Sequence, residues 1–431
     1  MKTLKKFISW LQFIIDNIKS LFGFDKMSKN FITFSTIHLG FLMFYTLQMV
    51  FMNTLLRRFS DGDGVIYLYN MMFFSFIPVG MMLASFSIKK RSHIFTMKSS
   101  LYLWIGIAIV TLSLIITKQL HHFWILLSVV SSLANGCYWI AYYIALTEYT
   151  DINNRDCGLS IIGIYTGIAN VIIPLIGGYI IKIFTNYTGY IIMYSFAFLV
   201  SIISIFFTHR FIINEDQQKN PDTDIHIIVA LKLIFKDKIW LYSSLSEFFR
   251  GIRDGVFIFL LNVLMFSVTN NEALVGINAF IAGVINIISN WILGKILYKN
   301  SGQNNKVKLL IIAVSSLFLS SLLLLKLNII TLIIMTCINA FFTIFIQNIT
   351  QSVFCLSVQV NEESNKLKTE SFVLKSYFLA IGRLIGIVLL FMVPKTNLYM
   401  VLGIIFLSVI QFGAVITTNK TIYLIDNLKE N

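Results

Sequence analysis

Long apolar stretches alternate with short polar connections along almost the whole chain. A helix needs about 20 mainly apolar residues to cross a bilayer. Twelve stretches reach this length, at 32–56, 64–88, 94–117, 122–147, 158–182, 188–208, 239–266, 272–296, 307–326, 328–358, 371–394 and 397–418. Lipid offers no hydrogen-bond partners to open strand edges, so these spans are expected to be helices. The pattern predicts an all-α membrane protein with twelve transmembrane helices.

The longest connection, 209–238, separates span six from span seven and holds the most polar run of the chain, 214–222. We interpret it as a cytoplasmic linker between two six-helix bundles. The bundles would cover 32–208 and 239–418, and 419–431 would form a cytoplasmic tail.

Residues 1–31 precede the first span, and apolar residues recur at helical spacing from Phe7 to Phe22 with polar residues between them. This pattern predicts an amphipathic helix on the membrane surface, with Trp10 near the headgroups. A helix that binds a partner protein is the alternative.

The composition agrees with a membrane protein, since 57% of the 431 residues are apolar, only 13% are charged, and the mean hydropathy is +0.79. Soluble domains are typically about 25% charged. The chain contains no nucleophile elbow, zinc-protease motif or phosphate-binding loop. We therefore predict neither an enzyme nor a metal or cofactor site.

The net charge of +14 is distributed asymmetrically. If the N-terminus lies inside, 25 of the 34 Lys and Arg residues fall in inner segments and six in outer ones. Positive residues are retained on the cytoplasmic side, so both termini are predicted to be cytoplasmic. The excess of positive charge is then explained by the orientation of the chain in the plasma membrane. Nucleic acid is not an expected partner.

The two halves carry matching residues at a nearly constant offset. Asn53 and Asn70 recur as Asn262 and Asn278, at offsets of 209 and 208 residues. Both halves would begin on the same side, which indicates a parallel repeat. Transporters built from such repeats place the substrate site near the midplane between the halves.

The connection after span two carries a motif. Gly80 is followed by Ser87 and then by Lys89 and Lys90. This resembles the Gly-x-x-x-Asp-Arg-x-Gly-x-Arg-Arg gating motif of the major facilitator superfamily, with alanine and serine in place of its acid and first base. The resemblance implies the two-bundle fold, a secondary transporter working by alternating access, and a charged latch whose acid is absent here.

Span five holds Pro174, Gly177 and Gly178. These residues resemble the antiporter motif of drug exporters in the same superfamily, which implies an exporter-like direction. Helix packing by small residues is the alternative. The arginine that many proton-coupled exporters carry in helix four is absent from the corresponding region, 132–136.

Span seven contains four charges, Glu247, Arg250, Arg253 and Asp254. At about 100° per residue they share about one third of the helix surface. Charges inside a span are expensive and usually face a cavity or a partner. We predict a substrate or proton site; a structural ion-pair network is the alternative.

Arg383 lies midway along span eleven, and His38 lies in span one at the repeat equivalent of Glu247. We include both in the predicted site. The buried sum of three positive charges and two negative charges favours an anionic group on the substrate, because arginine presents a bidentate fork to carboxylate or phosphate. Glu247 is the candidate for proton coupling, since a proton and Arg250 compete for it.

Polar and aromatic residues of spans four and ten recur at helical spacing and are candidates to line the cavity: Asn135, Tyr138, Trp139, Tyr142, Gln347 and Gln351. Ordinary helix packing is the alternative interpretation.

Span seven is also similar to that of poorly characterised permeases of low-GC Gram-positive bacteria. Its run 247–251 resembles a stretch in the first helix of glycolipid flippases of this superfamily. We therefore expect a monomeric bacterial transporter that moves a small molecule, with protons as a coupling partner. A lipid or glycolipid flippase and a non-transporting receptor or immunity protein remain the alternatives.

Overall fold

The computed structural model describes residues 25, 27–59, 64–184, 187–209, 225–269, 272–299, 302–360, 362–392 and 397–430. The described residues contain helices and no strands. In chain order the helices are α1 (Lys29–Phe59), α2 (Gly64–Lys90), α3 (His93–Ile116), α4 (Leu120–Tyr149), α5 (Arg155–Ile183), α6 (Thr188–His209), α7 (Ile227–Lys236), α8 (Lys238–Thr269), α9 (Glu272–Lys299), α10 (Gln303–Ser321, then a 3-10 turn, Leu322–Lys326), α11 (Ile329–Val360), α12 (Glu362–Lys366), α13 (Lys368–Met392), α14 (Asn397–Ile410) and α15 (Phe412–Glu430). The predicted surface helix up to Phe24 and the linker core, 210–224, lie outside the described residues.

Eleven segments of the described chain are long and apolar enough to cross a membrane, and α14 and α15 together form one of them. The remaining long helix, α8, has 32 residues, and its apolar character is interrupted by the charges of span seven. With α8 included, the helices reproduce the twelve predicted spans. The largest difference is at the C-terminal end, where the helix continues to Glu430 instead of ending at residue 418.

Two helix pairs, α5 with α9 and α2 with α13, form the most extensive contacts between the N-terminal half (α1–α6) and the C-terminal half (α8–α15). α5 packs against α9 with almost no side chain between them. A Cβ placed on Gly178 would lie 3.9 Å from the Cα of Gly276, and one placed on Gly283 would lie 2.8 Å from the backbone N of Val171. Small residues allow this approach, since close van der Waals contact is what holds helices together in lipid.

α2 packs against α13 along its length. Tyr67 meets Phe391 at one end of the pair, with ring centroids 5.6 Å apart. At the other end Lys89 pairs with Glu370 at 2.5 Å. We call this second end of the molecule the basic end. α1, α3, α5, α10 and α13 begin there, and it is the side predicted to face the cytoplasm.

Candidate functional site

A chain of buried charges runs along one face of α8. Arg250 Nη2 lies 2.6 Å from Glu247 Oε2, and Arg250 Nε lies 3.8 Å from Asp254 Oδ2. Residues three and four apart on a helix are neighbours, so the sequence spacing itself produces these contacts. All three side chains are at most 8% exposed. The predicted cluster of Glu247, Arg250 and Asp254 is therefore assembled as a buried ladder.

A lysine near the start of predicted span eleven, which the sequence analysis did not include in the site, completes this ladder. Lys375 of α13 is 1% exposed, and its Nζ lies 3.6 Å from Glu247 Oε1. The same Nζ donates to Gln351 Oε1 and lies 4.4 Å from the centre of the Tyr143 ring. Its sequence position could have indicated this role, since Lys375 follows the apolar run 372–374 and lies within the predicted span 371–394.

Arg253 points away from the ladder toward α11. Its Nη2 donates to Asn339 Oδ1 at 2.7 Å, and its guanidinium carbon lies 3.7 Å from the centre of the Phe257 ring. Nε and Nη1 of this fully buried arginine have no hydrogen-bond partner among the described residues. Arg253 therefore retains unused donors inside the protein.

Arg383 lies where the two halves meet. Its guanidinium carbon is 4.8 Å from the centre of the Phe74 ring of α2. Tyr45 of α1 and Asp254 of α8 are within electrostatic range. Arg383 makes no salt bridge within the described part of the chain, and its shielded Nε has no hydrogen-bond partner there. It is the basic group of the site with the least compensation.

Four glycines explain how α8 and α13 bring these charges together. A Cβ on Gly251 would lie 2.5 Å from the carbonyl O of Leu379, and one on Gly255 would lie 2.6 Å from the Cα of Arg383. Reciprocally, a Cβ on Gly382 would lie 2.2 Å from the carbonyl O of Phe248.

The fourth glycine, Gly386, shows the closest approach, since its Cβ would lie 1.9 Å from the carbonyl O of Ile252. Real Cβ atoms do not come so near to a backbone atom. The two backbones therefore touch, and the polar side chains of both helices share one space.

Lys375 changes the charge balance of the site. Four basic groups now accompany two acidic ones: Arg250, Arg253, Lys375 and Arg383 against Glu247 and Asp254. The surplus of two positive charges replaces the surplus of one expected from the sequence. Buried charges are costly unless compensated, so a site with this balance is suited to a negative ligand.

Aromatic side chains of the N-terminal half face this cluster. Tyr143 of α4 stacks on Phe372 of α13, with ring centroids 5.2 Å apart and planes 6° apart. Trp139 lies beside Tyr143 at 5.9 Å. Together with Tyr45 and Phe74, these rings form an uncharged aromatic surface on the N-terminal side of the site.

His38 is held elsewhere. Its Nδ1 lies 3.0 Å from the hydroxyl of Tyr138, and its ring stacks on Tyr142 at 4.5 Å. All three residues are at most 5% exposed and belong to the apolar core of the N-terminal half. The contacts of His38 thus fit a role in packing, although it is the repeat equivalent of Glu247.

The remaining residues predicted to line the cavity lie partly in the charged cluster and partly outside it. Gln351 joins the cluster through Lys375, whereas Gln347 is half-buried one turn away on α11. Asn135 is buried on α4 next to Gly136, and Gly136 faces the α2 backbone.

The predicted gating residues lie at the boundaries between helices. Lys89 forms the bridge to Glu370 of the opposite half, whereas Lys90 is exposed. Gly80 packs against α4, where a Cβ would lie 2.4 Å from the carbonyl O of Leu133. The lysine of the motif thus bridges the halves through a partner acid on α13, and we refer to this ion pair as the latch.

In α5, Gly178 lies on the α9 interface, as described above. The carbonyl O of Pro174 lies 3.5 Å from the Cβ position of Gly276 on the same interface. Gly177 faces Phe51 and Met193 within the N-terminal half. These contacts agree with a packing role for the motif.

Two further polar links join the halves at the basic end. Arg155 Nη1 donates to Gln359 Oε1 at 2.9 Å. Lys306 Nζ lies 2.9 Å from Asp156 Oδ2 and donates to Ser352. Together with the Lys89–Glu370 pair, they tie α2 and α5 to α10, α11 and α13.

Known structures share this architecture. An MFS transporter, FucP, solved in the outward conformation, aligns with a TM-score of 0.68 at 11% identity over 91% of this chain and 98% of that chain. A variant of this Escherichia coli fucose:proton symporter gives the same score. A bacterial homologue of the iron transporter ferroportin, in an outward-facing state, aligns with a TM-score of 0.65 at 12% identity over 93% of this chain and 100% of that chain. Such identities show the fold alone.

Sequence comparison gives the family. An uncharacterised protein of Bacillus subtilis (strain 168), YqgE, is 22% identical over 296 residues. The match spans 68% of this chain and 66% of that protein, just under two thirds of its length. The family model of the Major Facilitator Superfamily matches residues 98–361, more than half of the chain. The chain therefore belongs to the major facilitator superfamily and is a multi-pass secondary transporter.

Proposed function

We propose that this transporter carries a small organic anion, bound between the two halves at the level of Arg383. The observation that carries the proposal is the surplus of two positive charges on α8 and α13, where three basic groups are buried and Arg383 is half-buried. A ligand with a carboxylate or phosphate group offsets that surplus, and a neutral or cationic ligand does not.

Arg383 is the best anchor among the basic groups. Arg250 already lies against Glu247 and Asp254, and Lys375 lies against Glu247. Arg383 has neither carboxylate within bridging distance, although Asp254 is in electrostatic range. A planar guanidinium with unused donors fits a carboxylate or phosphate by two parallel hydrogen bonds.

The aromatic side chains of the N-terminal half favour a substrate whose remaining part is aromatic or otherwise planar. Tyr45, Phe74, Trp139 and Tyr143 supply rings and no formal charge on that side of the cluster. Aromatic rings offer large contact surfaces with defined stacking geometries. The anionic group would therefore bind the C-terminal half and the planar body would bind the N-terminal half.

Such a divided site suits alternating access, because both halves must hold the substrate while one rocks against the other. The three polar links at the basic end favour a state in which that end is closed. The two aligned structures were solved in outward-facing states, and we propose the same state here, with the basic end cytoplasmic.

Proton coupling and export are the finer parts of the proposal. Glu247 has two basic neighbours, Arg250 and Lys375, so adding a proton to it would change both contacts. The aligned FucP is a fucose:proton symporter by its description, which makes proton coupling reasonable on this fold. Export is predicted from the α5 motif alone.

The substrate proposal is tested by thermal stabilisation of the purified protein. Benzoate and phenyl phosphate should raise the melting temperature, whereas benzamide and benzylamine, which lack the negative charge, should not. Arg383→Ala should weaken binding of the anions by about 10- to 100-fold, because a hydrogen bond to a charged group contributes about 1.5–3 kcal/mol. Arg91→Ala, which removes an exposed arginine over Phe95, should bind normally.

Stabilisation by benzylamine, or full anion binding by Arg383→Ala, would contradict this assignment. Uptake of the stabilising anion into proteoliposomes would then distinguish a transporter from a receptor built on the same fold.

A further inference from the structure

The short helix α7 exposes an unusual amount of apolar surface. Ile228 is 70% exposed, Phe235 is 65% exposed and Leu231 is 41% exposed. Ala230 and Ile234, on the adjacent side of the helix, are fully buried against the protein. A ten-residue helix outside the spans thus presents two apolar faces, of which the protein covers one.

The order of residues around α7 is that of a helix lying in a membrane surface. With Ile234 at 0°, Leu231, Phe235 and Ile228 fall at about 60° to 120°. Lys232 and Lys236 follow at about 160° to 200°. Moving around the helix, the protein-facing side is followed by an exposed apolar stripe and then by two lysines, all of them exposed.

We infer that α7 is a lipid-binding element, which inserts this stripe into the leaflet at the basic end and binds anionic phospholipid headgroups through Lys232 and Lys236. Asp237, which follows directly, caps the start of α8, where its Oδ1 accepts the backbone N–H groups of Ile239 and Trp240. Basic amphipathic helices with apolar insertion bind anionic leaflets in this way.

The start of α7 is attached to the latch between the halves. The backbone N–H of His226, directly before α7, donates to Glu370 Oε1 at 3.1 Å. The same oxygen pairs with Lys89 Nζ of the N-terminal half. Glu370 is fully buried, so the position of His226 bears directly on that carboxylate.

This connection makes the latch sensitive to lipid. When α7 is fixed in an anionic leaflet, His226 is held against Glu370 and the Lys89–Glu370 pair is stabilised. When α7 is released, Glu370 loses a donor and the basic end opens more readily. The inference concerns the gate and holds whatever the substrate is.

The test is hydrogen–deuterium exchange of the full-length protein in nanodiscs of phosphatidylcholine alone or of phosphatidylcholine mixed with phosphatidylglycerol. Phosphatidylglycerol should slow exchange both in α7 and in the latch segments, residues 84–90 of α2 and 368–374 of α13. An anionic surface changes affinity by about fivefold for each nearby lysine, so Lys232→Glu with Lys236→Glu should lower lipid affinity by about 25-fold or more.

The matched control is Lys29→Glu with Lys308→Glu, which reverses two exposed lysines of the basic end outside α7. The control should keep the response to phosphatidylglycerol. A response that persists in the α7 variant, or is lost equally in the control, overturns the lipid site. Protection of α7 without protection of the latch segments overturns the coupling. Phe235→Ser, which leaves both lysines, should lower protection of α7 in either lipid.

Discussion

At the scale of single residues, the central feature is a carboxylate shared by two cations. Glu247 lies 2.6 Å from Arg250 and 3.6 Å from Lys375. Lys375 has Gln351 as a second partner, and Arg250 has Asp254. Loss of the charge on Glu247 therefore leaves Arg250 with Asp254 and Lys375 with Gln351 and the Tyr143 ring, so the cluster can rearrange without losing all of its compensation.

Glu247→Gln preserves the shape of this side chain and removes its charge and its proton. If Glu247 couples transport to protons, a pH gradient should no longer drive uptake in the variant, while counterflow exchange at equal pH on both sides should continue. Uptake into proteoliposomes of the anion selected by the stability screen measures both. Glu363→Gln, at an exposed position, is the control. Undiminished pH-driven uptake by Glu247→Gln would assign the proton to another group.

Part of this site was readable from the sequence. Glu247, Arg250 and Asp254 are joined by helical spacing, which is a local property of the chain. Lys375 and Gln351 belong to other helices, and their meeting with Glu247 depends on which helices become neighbours. The repeat offset did not supply this, because His38 and Glu247 are equivalent positions with different surroundings.

At the scale of helices, the contact between α8 and α13 is set by glycine. The missing side chains of Gly251, Gly255, Gly382 and Gly386 let two backbones touch. Hydropathy alone predicts both spans, because lipid requires every backbone polar group to be bonded within a helix. It carries no information on which spans touch, so the pairing of α8 with α13 could not be predicted from the sequence.

Gly386→Ala tests this contact. The new Cβ would lie 1.9 Å from the carbonyl O of Ile252, so the helices must separate. Overpacking of this kind costs about 1–3 kcal/mol. We expect a lower melting temperature of the purified protein and weaker anion binding, since Arg383 lies on the same helix.

Gly106→Ala is the matched control, because a Cβ there would meet nothing within 4 Å. This substitution should leave stability unchanged or raise it slightly, since alanine favours helix over glycine by about 1 kcal/mol. Equal melting temperatures for the two variants would show that α8 and α13 are not in the close contact described.

At the scale of the whole molecule, the two halves are joined differently at different depths. The backbones of α5 and α9 approach closely, and Tyr67 of α2 contacts Phe391 of α13. The polar links at the basic end are discrete, so each is either formed or broken. Rocking of the halves therefore requires these links to open, and the buried Lys89–Glu370 pair is the one that the superfamily motif supplies.

Removal of one partner from a buried ion pair costs about 3–5 kcal/mol, because the other charge is left without compensation. Lys89→Glu should therefore open the basic end, and amide exchange should accelerate in residues 84–90 and 368–374. Glu370→Lys should do the same. The double variant carries the pair in reverse and should recover much of the protection, although its lysine at 370 cannot accept the His226 N–H. Lys90→Glu, at the exposed neighbouring position, should exchange like the unmodified protein. A double variant that exchanges as fast as either single one would mean that the halves are held closed by the apolar contacts and that this pair is not a latch.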